Sequence, residues 1–315
     1  MSTLTPAIEA RGLSKRYGET VALDALDLTV ARGEVYGFLG PNGAGKTTTI
    51  RLLLGIHRAS AGSARLFGRD VWHESVAAHR EVAYVAGEPS LWPALTAAET
   101  FEHLARLRGG ADADYRRLLI ERFKLDPDRK LRALSKGNRQ KVQLIAAFAS
   151  RAPLLLLDEP TSGLDPLMEM AFRATVGEAR ERGQTVFLSS HILSEVEALC
   201  DRVGILRGGR LVDEGSLADL RHLAARTVEL TFAGQPPSLD GIAGVTVVAT
   251  GPRTVSCEVS GTMEPLLAAL AGHAVTELTS REPSLEEIFL HHYDGAAGAE
   301  PAHRDAAEEA DRVAG

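Results

Sequence analysis

The amino-acid sequence predicts an α/β fold followed by a small α+β domain. Over the first 220 residues, short apolar runs alternate with segments of helical periodicity, and a glycine-rich loop joins one such run to a helical segment. This pattern changes near residue 225. A chain of 315 residues with 44% hydrophobic residues is long enough for about two domains with apolar cores.

Apolar runs and capping signals place the elements of the first part. Thr96 and Ser216 are each followed three positions later by an acid, Glu99 or Asp219, which is the pattern of a capping box at a helix start. The glycine pair at 208–209 predicts a hairpin turn between the strands on either side of it. The runs that predict strands are 26–30, 35–39, 82–86, 154–157 and 186–189.

After residue 225, three strand-like runs and two helical segments predict a second, separate domain. We expect a first domain over 1–222 and a small α+β domain over 223–293. The stretch 294–315 mixes alanine, glycine and charge without an apolar face, so we expect a disordered tail. The expected strands of the second domain are 227–232, 244–250 and 254–260, and its expected helices are 264–272 and 284–293.

Composition excludes several classes of protein. Charged residues interrupt every apolar stretch well short of the roughly 18 to 20 residues that a membrane-spanning helix needs. A net charge of -7 gives no basic face for nucleic acid, and we expect no nucleic-acid partner. The two cysteines, Cys200 and Cys257, form no CxxC pattern, and the first residues lack the apolar core of a secretory signal. We therefore expect a cytoplasmic, reducing setting.

A glycine-rich loop predicts a phosphate site. The stretch "GPNGAGKT" at 40–47 matches G-x-x-x-x-G-K-[ST] and lies between the apolar run "VYGFL" and a helical segment. Backbone N–H groups of such a loop face phosphates at a helix N-terminus, Lys46 adds positive charge and Thr47 can ligate Mg²⁺. The alternative, a plain turn before a core helix, is disfavoured because strand, loop and helix are all in place.

Two carboxylates end an aliphatic run. In "LLLLDEP", residues 154–160, Asp158 and Glu159 follow four leucines. Alone, this pattern would indicate a core strand with solvated acids. Beside the glycine-rich loop, Asp158 is a candidate to hold Mg²⁺ and Glu159 to polarise the attacking water in a phosphoryl transfer.

Five motifs in order resemble one family. They are the loop at 40–47, "LSKGNRQ" from Leu134, "LLLLDEP", "SGLD" at 162–165 and "LSSH" ending at His191. Together they resemble the nucleotide-binding subunit of ATP-binding cassette transporters over about residues 7 to 220. The resemblance implies a P-loop NTPase cassette with a RecA-like core, an antiparallel β subdomain and a helical subdomain. The C-terminal "EPSLEEIFL" resembles bacterial exporter ATPases of the drug and antibiotic type.

The resemblance implies roles for individual residues. ATP and Mg²⁺ are the implied cofactors, with Lys46, Glu159 and His191 in the catalytic group and with Thr47 and Asp158 on the metal. Ser135, Gly137 and Asp165 are implied to contact the ATP held by the opposite subunit. Asp165 can also cap the helix that follows it, and Tyr17 either stacks on adenine or has a packing role. The implied ATP-binding residues of the chain's own site are Tyr17, Gly40, Pro41, Asn42, Gly43, Ala44, Gly45, Lys46, Thr47 and Thr48.

Two departures from the family pattern alter this site. Lys136 and Asn138 replace the usual glycine and glutamine of the signature "LSGGQ". Gly87 stands where the family usually has a glutamine that reaches Mg²⁺ and senses the membrane subunit. Glu88 is a candidate replacement as a metal ligand, and its alternative is a solvated loop acid. Two other interpretations are that a backbone group or a water substitutes for the glutamine, or that this coupling step is weaker.

The loop that follows contains two apolar residues between prolines. Leu91 and Trp92 fit either a groove for a helix of the membrane subunit or an ordinary core contact.

The leading hypothesis is an ATP-hydrolysing subunit that closes as a homodimer or heterodimer and drives separate transmembrane permease subunits, with export the implied direction. Such a subunit would lie at the inner face of the plasma membrane. One alternative is a weakly hydrolysing regulatory partner in a heteromeric complex. Another is a soluble ATPase of chromosomes or ribosomes, but the sequence has neither very long heptads nor a second cassette.

Overall fold

The computed structural model describes residues 5–223, 226–281 and 286–287. The chain divides into two compact units, Met1–Leu220 and Arg221–Gly315, whereas the boundary expected from the sequence was residue 222. The expected tail at 294–315 and most of the helix expected at 284–293 lie outside the described residues. In the part of the chain that is described, no helix is both long enough and apolar enough to cross a bilayer.

The first unit contains two sheets and their helices. Its strands are β1 (Ile8–Tyr17), β2 (Thr20–Val30), β3 (Val35–Leu39), β4 (Ala61–Leu66), β5 (Arg69–Asp70), β6 (Val82–Val85), β7 (Leu154–Asp158), β8 (Thr185–Ser190), β9 (Arg202–Arg207) and β10 (Arg210–Ser216). Its helices are α1 (Lys46–Leu53), α2 (Ser75–His79), α3 (Ala97–Arg108), α4 (Ala113–Arg122), α5 (Lys136–Ala149), α6 (Pro166–Glu181) and α7 (Leu193–Leu199), and α8 (Leu217–Leu223) runs across the division.

A six-stranded sheet carries the site. Its order is β10-β9-β3-β8-β7-β6, with parallel pairing throughout except in the β9–β10 hairpin. Every residue of β3, β7 and β8 is buried, as expected for parallel strands covered on both faces. Leu39 pairs with Ser190 and Asp158 pairs with Ser189, so the loops after these three strands emerge together at one edge.

The second sheet of this unit is antiparallel, in the order β2-β1-β4-β5. The run 26–30, which the sequence pattern placed among the alternating strands, is the end of β2 and belongs here. Alternation alone does not distinguish the two sheets, because β2 packs its apolar face on the same core as α1 and β3. Leu28, Phe38 and Ile50 lie in that shared core.

Capping residues start the helices as the sequence indicates. Thr96 and Glu99 form the reciprocal bonds of a capping box at α3. Ser216 and Asp219 exchange equivalent bonds at α8. Asp165 caps α6 by accepting a hydrogen bond from the Met168 backbone N–H, 3.0 Å away, so the predicted capping role is confirmed.

The described residues of the second unit form the strands β11 (Arg226–Phe232), β12 (Val245–Thr250), β13 (Thr254–Val259) and β14 (Val275–Arg281) and the helix α9 (Glu264–Leu270). The strands pair as a four-stranded antiparallel sheet in the order β12-β13-β11-β14. Val228, Cys257 and Leu266 lie in its core. The last strand was missed by the sequence analysis, because six of its seven residues are exposed and only weak alternation marks it.

Candidate functional site

The loop at 40–47 curls tightly over the edge of the six-stranded sheet. A Cβ on Gly40 would lie 2.6 Å from the Leu206 carbonyl oxygen. Gly45 has φ +113°, and a Cβ on it would lie 2.6 Å from the Ala22 carbonyl oxygen. Both positions therefore require glycine. The following helix α1 begins at Lys46, so its free backbone N–H groups open toward the loop.

Lys46 is buried against the loop that it follows. Its Nζ donates hydrogen bonds to the carbonyl oxygens of Gly40, at 2.6 Å, and Pro41, at 3.1 Å. The same nitrogen lies 3.3 Å from Glu159 Oε1. A buried ammonium needs such partners, and these hold the charge inside the loop.

A pocket of about 150 Å³ opens at this loop. A volume of this size suits a phosphate group and is smaller than typical whole-ligand pockets of roughly 300 Å³ or more. The rest of a nucleotide would therefore lie on the open surface beside it. The pocket is lined by Ala22, Pro41, Asn42, Gly43, Gly45, Lys46, Thr47, Thr48 and Glu159.

Asp158 and Glu159 are fixed by Ser189 on the neighbouring strand. Asp158 is 3% exposed and accepts a hydrogen bond of 2.6 Å from Ser189 Oγ. The Glu159 backbone N–H donates to the Ser189 carbonyl oxygen at 3.1 Å. Glu159 itself has φ +45°, a left-handed conformation that is unfavourable for a residue with a side chain. Its carboxylate is thus directed by backbone geometry that the strand pair holds in place.

His191 completes a cluster around one carboxylate oxygen. Its Nδ1 lies 3.4 Å from Glu159 Oε1, the same oxygen that Lys46 contacts. The imidazole is half exposed. Residues 46, 159 and 191 come from three separate loops, and the parallel register brings them together. We call these residues with the loop 40–48 the catalytic edge.

A second cluster, the signature edge, consists of Ser135 to Gly137 and Asp165. Ser135 is exposed and caps α5, accepting a 3.3 Å hydrogen bond from the Asn138 backbone N–H. A Cβ on Gly137 would lie 2.2 Å from the Gly163 carbonyl oxygen, so the two segments touch through their backbones. Among the residues that line the described pocket, none comes from the signature edge.

Lys136, one of the two signature replacements, does not extend freely into solvent. Its Nζ donates a 3.2 Å hydrogen bond to Ser162 Oγ. The side chain is thereby drawn sideways along the surface, toward the segment before Asp165. Ser135, the residue before Lys136, remains exposed.

Tyr17 and Trp92 are both large aromatic residues on the surface. Tyr17 is 42% exposed and lies edge-on to His57, with ring centroids 5.8 Å apart, while Lys15 Nζ lies 4.9 Å from its ring centre. Trp92 is 44% exposed and lies edge-on to His103. Trp92 is therefore only partly covered by the chain's own helix α3.

The segment at Gly87 lies against the end of β7, the strand that carries Asp158. A Cβ on Gly87 would be 3.2 Å from the Asp158 carbonyl oxygen and 3.7 Å from Glu159 Cβ. Glu88 is exposed, and the described pocket is lined by other residues. Tyr84, four residues before Glu88, has its pKa raised to about 12 by burial and by the negative charge of Asp158, so it is neutral at physiological pH.

Sequence reasoning missed two residues at the catalytic edge. Ser189 was visible only as a letter of the motif "LSSH", and its bonds to both acidic residues depend on strand pairing. Ala22 contributes a backbone carbonyl to the pocket wall, and nothing in its residue type signals this.

Two family models match the chain. The model described as "ABC transporter" matches residues 23–162. The model described as "ATP-binding protein DrrA1-3-like, C-terminal domain" matches residues 215–293.

Relatives and solved structures agree with these models. The chain is 37% identical over 304 residues to the daunorubicin resistance ATP-binding protein DrrA3 of Streptomyces coeruleorubidus, covering 90% of this chain and 95% of that protein. It is 34% identical to the bacitracin transport ATP-binding protein BcrA of Enterococcus faecalis, covering 70% and 72%. A solved ATP-binding subunit of an ABC transporter superposes with a TM-score of 0.65 at 34% identity, covering 68% of this chain and 92% of that one.

The match to DrrA3 extends over nearly the whole of both proteins, and the solved subunit shares the cassette fold at the same level of identity as BcrA. The P-loop cassette and its RecA-like core are confirmed. The chain belongs to the ATP-binding cassette transporter family and is one of its ATPase subunits.

Proposed function

We propose that this chain hydrolyses ATP at the catalytic edge and so drives export through separate transmembrane permease subunits. One observation carries the proposal: Lys46 and His191 both contact the same carboxylate oxygen of Glu159, beside a phosphate-sized pocket. In this assignment Glu159 polarises the attacking water, His191 contacts the terminal phosphate and Lys46 stabilises its charge.

The residues at the pocket also suit a magnesium ion. Thr47 contributes a hydroxyl, and the Asp158 carboxylate lies at the same strand edge, two oxygen donors of the kind that Mg²⁺ prefers. No group of three or more carboxylate, histidine or cysteine residues that could hold a metal occurs among the described residues, so phosphate oxygens and waters would supply the other ligands. When bound, Mg²⁺ neutralises charge on the phosphates.

The remaining nucleotide contacts are assigned across a dimer. Ser135, Gly137 and Asp165 would bind ATP held by the opposite subunit, since they lie away from the chain's own pocket and the start of α5 carries no acid in its first turn. Tyr17 would stack on adenine through its exposed ring. Homodimer and heterodimer both satisfy this arrangement.

The segment from Gly87 to Trp92 is proposed as the contact with the permease subunits, which would hold the chain at the inner face of the plasma membrane. Gly87 packs on the end of β7 while Trp92 remains partly exposed, so one short segment joins the site to the surface. Glu88 remains a candidate for the ligand role that Gly87 cannot fill, because glycine has no side chain.

Export of drug-like or antibiotic molecules is supported by the names of the relatives. DrrA3 is named for daunorubicin resistance and BcrA for bacitracin transport. The C-terminal unit matches a DrrA-type domain, which extends the likeness beyond the cassette.

A second candidate function is a subunit that binds ATP but hydrolyses it weakly beside a more active partner. Lys136, Asn138 and Gly87 favour it, because each departs from the family pattern at a nucleotide contact. The catalytic edge distinguishes the two functions, since a subunit that does not hydrolyse ATP has no need for a directed carboxylate at Glu159.

The test is ATP turnover and MgATP binding by Glu159→Gln. We expect turnover to fall at least about 10²-fold, because a general base contributes roughly 10² to 10⁴. MgATP binding and ATP-dependent dimer formation should persist. Glu121→Gln, on an exposed face of α4, is the matched control and should behave as wild type. Turnover unchanged in Glu159→Gln would contradict the assignment, and negligible turnover in the wild-type chain would favour the second function.

A further inference from the structure

Helix α5 contacts the segments that follow β7 and β6 at three successive places. Gly137 touches Gly163 through the backbone, Gln140 Nε2 donates to the Pro160 carbonyl oxygen at 3.2 Å, and Gln143 Oε1 accepts from the Ala86 backbone N–H at 3.0 Å. Positions three residues apart are neighbours on a helix surface, so these contacts form one oblique stripe along α5. The stripe begins at the signature edge and ends at the segment that precedes Gly87.

The last of these contacts holds the segment at the end of β6. Ala86 follows the strand directly, and the next residue has no side chain with which to fix itself. Gly87 nevertheless lies closely against Asp158 and Glu159. The hydrogen bond from Ala86 to Gln143 therefore helps to set the position of backbone that packs on the Asp158 carbonyl group and the Glu159 Cβ, which carries the catalytic carboxylate.

The amide of Gln143 has two polar arms, the oxygen and the nitrogen, and the nitrogen argues against a purely structural role. Its Nε2 is buried and has no hydrogen-bond partner among the residues that the structure describes. Burying an amide donor without an acceptor is unfavourable, so an apolar side chain would serve packing better. An amide at this position is explained by the bond that its oxygen makes.

We propose that Gln143 is a positioning residue for ATP hydrolysis. It ties the Ala86–Gly87 backbone to α5, so that movement of the signature edge and placement of the catalytic carboxylate are mechanically linked. The inference rests on the assignment of Glu159 as the catalytic carboxylate. Loss of the tie leaves nucleotide binding intact, because neither Gln143 nor Ala86 lines the pocket at the phosphate loop, and it lowers the rate at which bound ATP is hydrolysed.

Two substitutions separate the two arms of the amide. Gln143→Met keeps the length of the side chain and removes both arms, while Gln143→Glu keeps an oxygen acceptor for the Ala86 N–H. Gln184→Met is the matched control, since Gln184 is a buried glutamine whose Nε2 donates to the Ala152 carbonyl oxygen away from the site. The measurements are steady-state ATP hydrolysis by the full chain, thermal unfolding, and amide hydrogen exchange of the peptide around Ala86.

We expect Gln143→Met to lower kcat about tenfold with KM for ATP within about twofold, as for other supporting contacts around an active site. Exchange at the Ala86 peptide should rise. Gln143→Glu should recover most of the rate, and Gln184→Met should leave kcat unchanged even if its melting temperature falls.

A wild-type kcat in Gln143→Met would overturn the proposal, as would an equal loss in Gln184→Met or a rise in KM without a change in kcat. If Gln143→Met does not fold, Gln143→Glu decides: near-wild-type kcat with protected Ala86 supports the tie, and protected Ala86 with kcat reduced about tenfold contradicts it. Failure of the underlying assignment is distinguishable, because Glu159→Gln would then retain turnover whatever Gln143 does.

Discussion

The catalytic edge and the signature edge differ in how far one chain completes them. At the catalytic edge, Lys46 and His191 both contact Glu159, and the loop forms a pocket beside the lysine. At the signature edge, Gly137 is packed against Gly163, yet Ser135 is exposed and does not line the pocket at the phosphate loop. In the proposed function, binding and chemistry are thus prepared within the chain, whereas the second set of contacts would need another molecule.

Substitution of Lys46 should cause the largest loss and test the completeness of the catalytic edge. Lys46→Ala removes the ammonium group that bonds to the Gly40 and Pro41 carbonyl oxygens and contacts Glu159. We expect turnover to fall about 10³-fold, as when a charge-stabilising donor is removed from an active site. ATP binding, measured by calorimetry, should weaken as well. Retained tight binding would show that the loop backbone suffices.

Substitution of His191 should come next. His191→Ala leaves the phosphate loop intact and removes one partner of Glu159, so we expect kcat to fall about 10²-fold while ATP binding changes little. Steady-state kinetics measure the effect. His273→Ala, an exposed histidine of the second unit, is the control and should have no effect on turnover. Equal kcat in His191→Ala and wild type would remove His191 from the catalytic edge.

A smaller effect is expected at the signature edge. Gly137→Ala places a Cβ 2.2 Å from the Gly163 carbonyl oxygen and must displace one segment from the other. We expect turnover to fall about tenfold, because misplacement of a contacting group by a fraction of an ångström is costly. Gly177→Ala is the control, since a Cβ there meets nothing within 4 Å. ATP bound per chain should stay unchanged in both variants, and a loss of that binding in Gly137→Ala would place Gly137 at the chain's own site.

The smallest expected effects compare two helix caps of the same chemistry. Thr96→Ala at α3 and Ser135→Ala at α5 should each lower the free energy of unfolding by about 1 kcal/mol, measured by urea denaturation. Only Ser135→Ala should also reduce turnover, because its hydroxyl belongs to the signature edge. Equal turnover in the two variants would reduce Ser135 to a capping residue.

The sequence predicted the parts of the site that are local in the chain. The loop at 40–47 and the acids Asp158 and Glu159 belong to short motifs whose geometry follows from strand, turn and helix. The strand runs at 35–39 and 154–157 were correct to within a residue, because fully buried parallel strands have uninterrupted apolar sequences.

Contacts between distant segments were beyond the reach of the sequence. The bond from Gln143 to Ala86 and the role of Ser189 depend on helix packing and strand register. The left-handed φ of Glu159 has no signature in residue type. Strand β14 was missed because its outer position in the sheet leaves little burial to impose alternation.

The central claim is that the two edges of one ATP site come from different chains. It is tested most directly by mixing two inactive variants, Glu159→Gln and Gly137→Val, and measuring ATP turnover. Each mixed dimer would contain one site built from an intact catalytic edge and an intact signature edge, so the mixture should recover about a quarter of wild-type turnover. Turnover no higher than the mean of the two parents, with mixed dimers present by affinity tag, would contradict the claim.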